Sequence, residues 1–475
     1  MEAARLYETV ADHLAALVDG GSLLPGDRLP SVRRLAAQQG VSISTVLQAY
    51  LLLEARGRIE VRPKSGHYVK ARLRAALPEP RTPKVEDVAR PVTIADRVAR
   101  LNGATDGIPG VLGIAVPHAS LLPTDKLARS AAQAARRWGA AAISYGPPAG
   151  VPILRQELAR RSATWGCAIP AEGFLVTVGA MEALQLALRA VAGRGDAIAV
   201  ETPAFFGVLQ LIQSLGLKVV EIPAHAGTGM DLARLDAALR RRKIRAVLAV
   251  PSFGNPLGSL MPDSARKELV RIVTRHDVPL VEDDVYGDLP FDGVRPRLAR
   301  SFDRKGLVLV CSSVSKTLAP GYRIGWIAPG RYRAAVERLK SAQSLTSPVL
   351  PQLAIAEFLR TGGYDHHLRG LRRRLRAQVE HYSAEIAARF PAGTRLSRPK
   401  GGFVLWVELP RGVDSLDLQE RAAKAGAAIA PGPIFTASGG FRNFLRISCG
   451  HPWTPETERA VEAVAGIATD LARAR

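Results

Sequence analysis

Lys316 is the residue of this sequence with the clearest chemical potential. It follows an apolar run at residues 307–310 and the hydroxyl residues Ser313 and Ser315, and it precedes Arg323. A buried strand that ends in a polar loop is where α/β proteins carry their ligands. A lysine amine that is desolvated, or that has cationic neighbours, loses its proton more readily and then forms an imine with an aldehyde. Serines and an arginine suit a phosphate, so the segment is compatible with a phosphorylated aldehyde, an ordinary surface lysine being the alternative.

Three further segments suit the phosphate and the ring of such a ligand. At Gly179, Ala180 and Met181 a predicted strand gives way to a helix, so backbone N–H groups and the helix dipole point at one place, a seat for phosphate. Phe205 follows a proline at a strand end and can stack on a flat ring, with core packing as the alternative. Asn255, before a proline, can donate its amide to a phenolic oxygen, or can belong to a plain turn.

Three acids, Glu282, Asp283 and Asp284, end another apolar run. Carboxylates are costly to bury without a partner. One of them could keep a pyridine nitrogen protonated, which makes the ring an electron sink. The alternatives are a divalent metal site and a solvated loop. Together with Lys316, the acids favour pyridoxal phosphate (PLP) as the cofactor and no metal.

Composition places the chain among globular proteins that attract polyanions. Hydrophobic residues make up 47% and charged residues 23%, and the formal net charge is +22. Such a charge favours nucleic acid as a partner, the alternative being a generally basic proteome. The chain starts without an apolar signal segment and has no apolar run long enough for a membrane span. Three scattered cysteines fit a reducing compartment, so we expect a cytoplasmic protein.

Strands and helices alternate after about residue 110. The predicted strands are apolar and lie at residues 174–178, 197–200, 218–222, 246–250, 280–282 and 307–311. The predicted helices lie between them, for example at residues 180–191, 232–239 and 265–275. This alternation indicates a mostly parallel sheet with helices on both faces. Residues from about 370 to 475, with strands at 402–409 and 444–447, are expected to form a smaller α+β subdomain.

The first 72 residues have the pattern of a separate small domain. Helices are predicted at residues 6–19, ended by glycines at 20 and 21, and at 32–39 and 43–55. Strands follow at residues 57–61 and 67–69, around a turn at 63–66. A short helix, a glycine turn and a second helix that exposes Ser44, Thr45 and Gln48 is the helix-turn-helix pattern, a protein-docking module being the alternative. Residues 73–108 are predicted as a linker, rich in proline and charge near residues 77–84, and residues 109–475 as the α/β domain.

The small domain resembles the GntR-type winged helix. The resemblance runs through residues 25–33, 41–46 and 65–69. It implies binding of double-stranded DNA. The positions that match the DNA interface of that family are Arg28, Arg33, Ser44, Thr45 and Gly66. Gln48 is exposed on the same predicted helix as Ser44 and Thr45 and is included with them.

The α/β domain resembles the fold-type I aminotransferases across about residues 110–470. The resemblance rests on an ordered series of Gly179, Phe205, Asn255-Pro256, Asp283, Tyr286, Ser313, Lys316 and Arg323. It implies that Lys316 carries PLP through an imine bond and that Asp283 pairs with the pyridine nitrogen. Asn255 and Tyr286 would bond the phenolic oxygen, and Phe205 would stack on the ring.

The same resemblance assigns the phosphate and the substrate. The phosphate would be held by Ser313, Ser315, Arg323 and the backbone of residues 179–181. Arg446 matches the arginine that binds the substrate α-carboxylate. Tyr145 matches a tyrosine given to the phosphate site of the neighbouring subunit, which implies a homodimer.

Head, linker and body together resemble the MocR-type transcription regulators. The short turn at residues 319–321 also resembles the branch that holds these regulators and aminoadipate-type transaminases. The resemblance predicts a DNA-binding regulator that senses PLP, an amino acid or an amine. The alternative is an aminotransferase, converting an amino acid to a 2-oxo acid, with an accessory DNA-binding domain.

Overall fold

The computed structural model of the chain describes residues 6–19, 23, 26–62, 65–69, 77–83, 85–86, 88–104 and 111–474. The chain divides into two compact units, Met1–Leu77 with Ala377–Arg389 and Pro78–Arg376 with Phe390–Arg475. Several predicted features lie outside the described residues: the domain limits at residues 72 and 108, the glycine stop at residues 20 and 21, and residues 63 and 64 of the predicted turn.

The smaller unit contains the predicted winged helix-turn-helix. Its elements are α1 (Leu6–Asp19), α2 (Val32–Gln39), α3 (Ile43–Ala55), β1 (Ile59–Arg62) and β2 (Gly66–Val69). The three helices have the predicted bounds, and β1 and β2 pair antiparallel. The core of this unit is apolar and joins Val10 and Leu14 of α1 to Val46 and Leu53 of α3.

Local signals explain why α3 starts where it does. Gly40 ends α2 in the left-handed conformation with φ 65°, which glycine adopts without strain. Ser42 then caps α3 by accepting the backbone N–H of Thr45 at 3.1 Å. The buried Tyr50 donates its hydroxyl to the carbonyl oxygen of Pro30 at 2.7 Å. The cap and this hydrogen bond set the face that α3 exposes.

The larger unit is built on a mixed, mostly parallel sheet. Its strands are β3 (Ala89–Pro91), β4 (Leu175–Thr177), β5 (Ala197–Thr202), β6 (Lys218–His225), β7 (Gly229–Met230), β8 (Ile244–Ala249), β9 (Leu280–Asp283), β10 (Val308–Ser313) and β11 (Gly325–Ala328). The order is β3-β6-β5-β8-β9-β10-β11-β4, with β7 beside β6. The strands β6, β5, β8, β9 and β10 run parallel to one another, as predicted, whereas β3, β7 and β11 are antiparallel to the strands with which they pair.

Helices cover the sheet and complete the chain. They are α4 (Ala95–Ala104), α5 (Thr124–Trp138), α6 (Pro152–Ser162), α7 (Gly179–Val191), α8 (Phe206–Ser214), α9 (Leu232–Arg241), α10 (Asp263–Arg275), α11 (Arg333–Gln343), α12 (Val349–Arg360), α13 (Gly363–Arg389), α14 (Ser415–Lys424) and α15 (Pro455–Arg473). Apolar residues of α7 and α8 belong to the core that surrounds the main sheet. Among the helices that the structure describes, none is long and apolar enough to cross a membrane.

A second, antiparallel sheet forms the predicted small α+β subdomain. Its strands are β12 (Arg395–Leu396), β13 (Val404–Glu408), β14 (Ala430–Pro431) and β15 (Phe444–Ser448), in the order β12-β13-β15-β14. Arg446 lies on β15 between Trp406 of β13 and Ala430 of β14. A central strand of this kind gives Arg446 a rigid backbone.

The structure adds elements where the sequence predicts none. β11 follows the lysine loop, in a stretch for which no strand was predicted. Part of the predicted linker is folded onto the larger unit, because it contains β3 and α4. The backbone N–H of Leu396 donates to Pro78 at 2.8 Å, and the backbone N–H of Arg81 donates to Glu408 at 2.8 Å. An extended, proline-rich segment still carries backbone carbonyl groups, and N–H groups at its other residues, so it can hydrogen bond to a neighbouring sheet.

Candidate functional site

Asp283 and Lys316 come from neighbouring strands of the main sheet. β9 ends at Asp283 and β10 ends at Ser313, and the two strands run parallel with Asp283 opposite Cys311. The carboxyl ends of parallel strands meet at one edge of a sheet. Lys316 therefore lies at the same edge of the sheet as Asp283. The charge of Lys316 lowers the pKa of Asp283, and the charge of Asp283 raises the pKa of Lys316.

Lys316 is held in surroundings that favour its neutral amine. Its Nζ donates to the carbonyl oxygen of Ala115 at 2.8 Å and lies 5.8 Å from the centre of the Tyr286 ring. Burial, followed by the charge of Arg446, lowers the pKa of Lys316 to about 8, against the opposing effect of Asp283. At pH 7 about one such lysine in ten is neutral, compared with about one in a few thousand for an ordinary lysine. The amine is therefore available as a nucleophile near neutral pH.

Asp283 is a buried carboxylate that would gain from a cation. Its side chain is 6% exposed and accepts the backbone N–H of Val285 at 3.2 Å. Burial raises the pKa of Asp283 to about 7 in spite of this hydrogen bond and of Lys316. A positive charge placed beside the carboxylate would bring the pKa down again. A protonated ring nitrogen is a group of this kind.

The raised pKa of Asp283 predicts how the folding stability of the PLP-free protein depends on pH. The ordinary pKa is 3.8 and the folded value is about 7, so this group favours folding at low pH and loses that contribution as the pH rises from about 4 through about 7. Asp283→Asn stays neutral throughout. We expect the variant to melt only slightly higher than wild type at pH 5 and a few degrees higher at pH 8, since the shift corresponds to at most roughly 4 kcal/mol and most of it develops between these two pH values.

Differential scanning calorimetry of the PLP-free proteins measures this difference. Burial also raises the pKa of Glu201 to about 8 and of Glu282 to about 7. The stability of the variant should therefore still fall with pH, only less steeply than that of wild type. Parallel melting curves for the two proteins from pH 5 to pH 8 would contradict the assigned environment of Asp283.

The other two acids of the segment are committed to the protein. Glu282 accepts the backbone N–H groups of Ala299 at 2.8 Å and Arg300 at 3.1 Å. Asp284 forms an ion pair with Arg295. Within the described ranges, no group of three His, Cys, Asp or Glu residues is placed to hold a metal ion. Of the three acids, Asp283 is thus the one left to face a ligand.

The predicted phosphate-binding groups lie together at the start of α7. Gly179 has φ 74°, and a Cβ atom there would collide with the Arg323 guanidinium. Arg323 in turn lies 3.4 Å from the Ser315 hydroxyl, through Nη1, and Ser313 accepts the backbone N–H of Ser315 at 3.3 Å. The first N–H groups of a helix lack partners within it, so this corner combines backbone donors, hydroxyls and a guanidinium. The backbone of Ala180 and Met181 belongs to the same first turn, and the Met181 side chain packs against the core.

The ring-binding candidates differ in their placement. Asn255 is 8% exposed, and its Oδ1 is buried with no hydrogen-bond partner among the described residues. Tyr286 is also buried, which raises the pKa of its hydroxyl. Phe205 is partly exposed and covers Gly207, where a Cβ atom would lie 2.6 Å from the ring. Tyr145 differs from these three residues in being exposed, with 86% of its surface accessible.

Arg446 is a buried cation with spare donors. It is 1% exposed, and its Nη2 donates to the carbonyl oxygen of Gly113 at 2.5 Å. Its Nε and Nη1 are buried with no partner in the described structure. Burial lowers the pKa of Arg446 to about 10, so the group stays charged at neutral pH. A guanidinium binds a carboxylate through the pair Nε and Nη2 or the pair Nη1 and Nη2, so a carboxylate that took the place of the Gly113 carbonyl group could use either pair.

Sequence reasoning missed the main-chain groups that face these two cations. The carbonyl oxygen of Gly113 faces Arg446 and that of Ala115 faces Lys316. No sequence signal could have revealed them, since every residue carries a carbonyl group. The segment at residues 113–115 occupies the space next to both cations, where a ligand carboxylate would compete with it.

A hydrogen-bond network behind Lys316 was also missed. The Tyr364 hydroxyl lies 2.9 Å from the Thr317 hydroxyl and 2.9 Å from a carboxylate oxygen of Asp288. His367 Nε2 lies 2.7 Å from the carbonyl oxygen of Thr317. The network holds the backbone immediately after Lys316. The spacing of Tyr364 and His367, which places them on one face of α13, was the available sequence signal.

The predicted DNA-contacting residues lie on one small unit, mostly exposed. Arg33, Ser44 and Gln48 are exposed, and Thr45 is partly exposed. Thr45 and Ser44 both hydrogen bond to the capping hydroxyl of Ser42, at 2.7 and 2.8 Å. Arg28 lies elsewhere on the unit, where its backbone forms an antiparallel β-bridge with Tyr68 of β2. Its side chain packs against Gly66, and a Cβ atom on Gly66 would lie 3.3 Å from the Arg28 Nε.

Comparison with known proteins matches both units to families. The family of aminotransferases class I and II matches residues 119–464, and the gntR family of bacterial regulatory proteins matches residues 6–69. The chain is 37% identical over 461 residues to YjiR of Escherichia coli, named as an uncharacterized HTH-type transcriptional regulator, and the match covers 96% of this chain and 97% of YjiR.

Enzymes match the larger unit. A 2-aminoadipate transaminase of Thermus thermophilus is 33% identical over 347 residues, which cover 72% of this chain and 85% of the enzyme. The crystal structure of LysN, the α-aminoadipate aminotransferase of the same species in complex with N-(5'-phosphopyridoxyl)-L-leucine, superposes with a TM-score of 0.72 at 28% identity. That match covers 80% of this chain and 98% of LysN. With a GntR-type winged helix ahead of a class I and II aminotransferase domain, and a regulator matching it from end to end, this chain belongs to the MocR-type transcription regulators.

Proposed function

We propose that this protein regulates transcription in response to PLP or to an amino acid or amine that reacts in its PLP pocket. The observation that carries the proposal is the pocket itself. Lys316 with a lowered pKa, Asp283 with a raised pKa and Arg446 with spare donors lie in a chain that also carries a recognition helix. Each of these groups is in a costly state that a suitable ligand would relieve.

Side chains of the pocket match the functional groups of PLP one by one. Bound PLP supplies an aldehyde for an amine and a pyridinium ring that withdraws electrons. Lys316 would offer its neutral amine to the aldehyde, and Asp283 would keep the ring nitrogen protonated. Asn255 and Tyr286 would hydrogen bond to the phenolic oxygen, and Phe205 would stack on the ring face.

The phosphate would sit at the start of α7. Ser313, Ser315 and Arg323 would hold it together with the backbone N–H groups of residues 179–181. A Cβ atom at Gly179 would collide with Arg323, so the glycine leaves room for the guanidinium against the helix start. This close approach supports the assignment. Arg446 would bind the carboxylate of an amino acid effector, displacing the carbonyl group of Gly113.

Self-association and DNA binding complete the proposal. Tyr145 would complete the phosphate site of a partner subunit in a homodimer. The exposure of Ile143 and Tyr145, at 87% and 86%, supports a surface that a second copy covers. The winged helix would bind a double-stranded operator in the cytoplasm. A ligand shifts a regulator between two states only if it binds them with different affinity.

The proposal predicts which head residues matter for DNA affinity. Arg33→Ala with Gln48→Ala removes an exposed cation from α2 and an exposed amide from α3, the two helices of the helix-turn-helix. We expect affinity for DNA from upstream of the protein's own operon to fall roughly tenfold or more, because one lost base or phosphate contact costs about 1–3 kcal/mol. Arg56→Ala is the matched control, since Arg56 lies at the other end of α3 and pairs with Asp12 at 2.6 Å.

Footprinting of the same DNA with and without PLP tests the regulatory reading. Protection that changes with PLP, or with PLP and an amino acid, supports it. An absence of protection under every condition would overturn it. Equal loss of affinity in the Arg56→Ala control would contradict the assigned DNA face.

An aminotransferase is the second candidate function. It is favoured by the presence of both a reactive lysine environment and an arginine suited to an α-carboxylate. Steady-state turnover of an amino acid with a 2-oxo acid would support it. A single half-reaction, with no turnover over many equivalents of substrate, would favour the regulator.

A further inference from the structure

A cavity lies at the end of the main sheet opposite Lys316, where β10 begins and β11 ends. It has a volume of about 720 Å³ and is lined by residues 166–170, 173, 297, 300, 301, 303, 304, 306, 328–331 and 333. The antiparallel pairing of β10 and β11 places Ala328 opposite Val310, away from the end of β10 that leads to Lys316. A strand of this length spans roughly 20 Å, so the two sites are separate.

Arginine dominates the lining of this cavity. The lining arginines are Arg297, Arg300, Arg304, Arg331 and Arg333. Asp303 is the acidic residue among the described lining residues, and its carboxylate points into the protein. It is fully buried and accepts the backbone N–H groups of Lys305 at 2.8 Å and Val308 at 2.9 Å. The surface that a ligand would meet is therefore cationic.

Two of the arginines are uncommitted. Arg297 and Arg304 are exposed and have no carboxylate partner within the described part of the chain, although the Arg297 guanidinium lies 5.1 Å from the Phe302 ring. The other three have carboxylate partners: Arg300 pairs with Asp303 at 3.4 Å, Arg331 with Asp277 at 3.1 Å and Arg333 with Glu337 at 2.6 Å. A guanidinium has five N–H donors, so even an arginine with one partner keeps donors for a second.

Two glycines show that the guanidinium groups are packed into place. A Cβ atom at Gly166 would lie 2.8 Å from Arg297 Nε, and one at Gly330 would lie 2.6 Å from Arg300 Nη1. Both glycines have positive φ, 80° and 58°, which side chains rarely adopt. A concave surface lined by one sign of charge also concentrates the field on a counter-ion.

We propose that this cavity binds a small anion with two or more adjacent phosphate groups. Arginine forks bind phosphate oxygens in pairs, and arginines from separate loops can hold neighbouring phosphates at once. The shared chemistry fits inorganic polyphosphate and the polyphosphate of a nucleotide alike. A DNA duplex is too wide to enter a cavity of this volume, so the site is distinct from the DNA-binding head.

Isothermal titration calorimetry of the full-length, PLP-loaded protein with tripolyphosphate tests the site. The variant carries Arg297→Ala and Arg304→Ala, both at exposed positions. The matched control carries Arg234→Ala and Arg241→Ala, two exposed arginines of α9 with the same change in charge. We expect the variant to lose affinity by roughly tenfold or more and the control to change less than about twofold.

Parallel titrations distinguish the sources of phosphate. Tighter binding of ATP than of tripolyphosphate, lost in the variant, supports a nucleotide ligand, and equal binding supports recognition of the phosphates alone. The proposal is overturned if tripolyphosphate and ATP both fail to bind, if the control loses as much affinity as the variant, or if duplex DNA alone gives a signal that depends on Arg297 and Arg304.

Cys167 provides an independent readout. It lines the cavity and is partly exposed, whereas Cys311 and Cys449 are buried. Tripolyphosphate should slow alkylation of Cys167 in the wild-type protein and in the control, but not in the variant, as measured by peptide mass spectrometry. An unchanged alkylation rate at concentrations that saturate the calorimetric signal would place the anion elsewhere and overturn the proposal.

Discussion

Lys316→Ala is expected to abolish the imine absorbance band that forms when the wild-type protein is mixed with PLP. The amine of Lys316 has a pKa lowered to about 8, by burial first and by Arg446 second, and it lies beside the one acid of its segment that is left free for a ligand. Burial also lowers the pKa of Lys340, but of these two described lysines it is Lys316 that Arg323, in the proposed phosphate-binding corner, acts on. The expected effect is complete loss of the band, because alanine has no amine.

Two matched variants separate the imine from charge and from general lysine reactivity. Lys316→Arg keeps a cation but cannot form an imine, so it should also lack the band. Lys305→Ala removes an exposed lysine and should behave as wild type. Borohydride reduction followed by peptide mass spectrometry should place the added mass on Lys316. A persistent band in Lys316→Ala, with the added mass on a different lysine, would show that the assignment is wrong.

Arg446→Met is expected to separate recognition of amino acids from recognition of amines. Arg446 is buried, its Nε and Nη1 have no partner among the described residues, and either nitrogen can bind the carboxylate of an amino acid together with Nη2 once the Gly113 carbonyl group is displaced. Loss of a charge-assisted bidentate contact should weaken amino acid binding to the PLP-loaded protein by roughly a hundredfold or more. Reaction with amines that lack a carboxylate should change far less, and only through the pKa of Lys316, which rises when the charge of Arg446 is removed. Spectral titration with an amino acid and with the amine of the same side chain measures both affinities.

The same substitution should leave the ligand-free protein as stable as wild type or more so. A buried cation without full compensation costs free energy, and methionine fills much of the volume without a charge. Arg442→Met is the control, since Arg442 lies on the surface before β15 and pairs with Asp414. A large fall in melting temperature for Arg446→Met, or equal loss of affinity for amines and amino acids, would contradict the proposed role.

Much of this protein was determined by local sequence. Helices α1, α2 and α3 were predicted with their observed bounds, because glycine stops, serine caps and apolar spacing are signals carried by neighbouring residues. The strands that carry Asp283 and Ser313 were predicted to within two residues for the same kind of reason. Since parallel strands align their carboxyl ends, the order of polar residues after each strand also predicted which side chains would meet.

Tertiary structure decided the features that depend on a distant partner. β11 is four residues long and β3 is three, too short for a periodic pattern, and each exists because a neighbouring strand offers its backbone groups. The carbonyl groups of Gly113 and Ala115 face Arg446 and Lys316 for a similar reason, since a main-chain group has no identity in the sequence. The arginine cavity was likewise hidden, because its loops lie far apart along the chain.

The chemical state of Lys316 shows the same division. Its residue type and its place after a strand came from the sequence. Its lowered pKa did not, because burial and the charge of Arg446, 130 residues away along the chain, depend on how the two sheets of the larger unit pack. Local sequence therefore identified the residues able to react, and the packing of distant segments set how ready they are to do so.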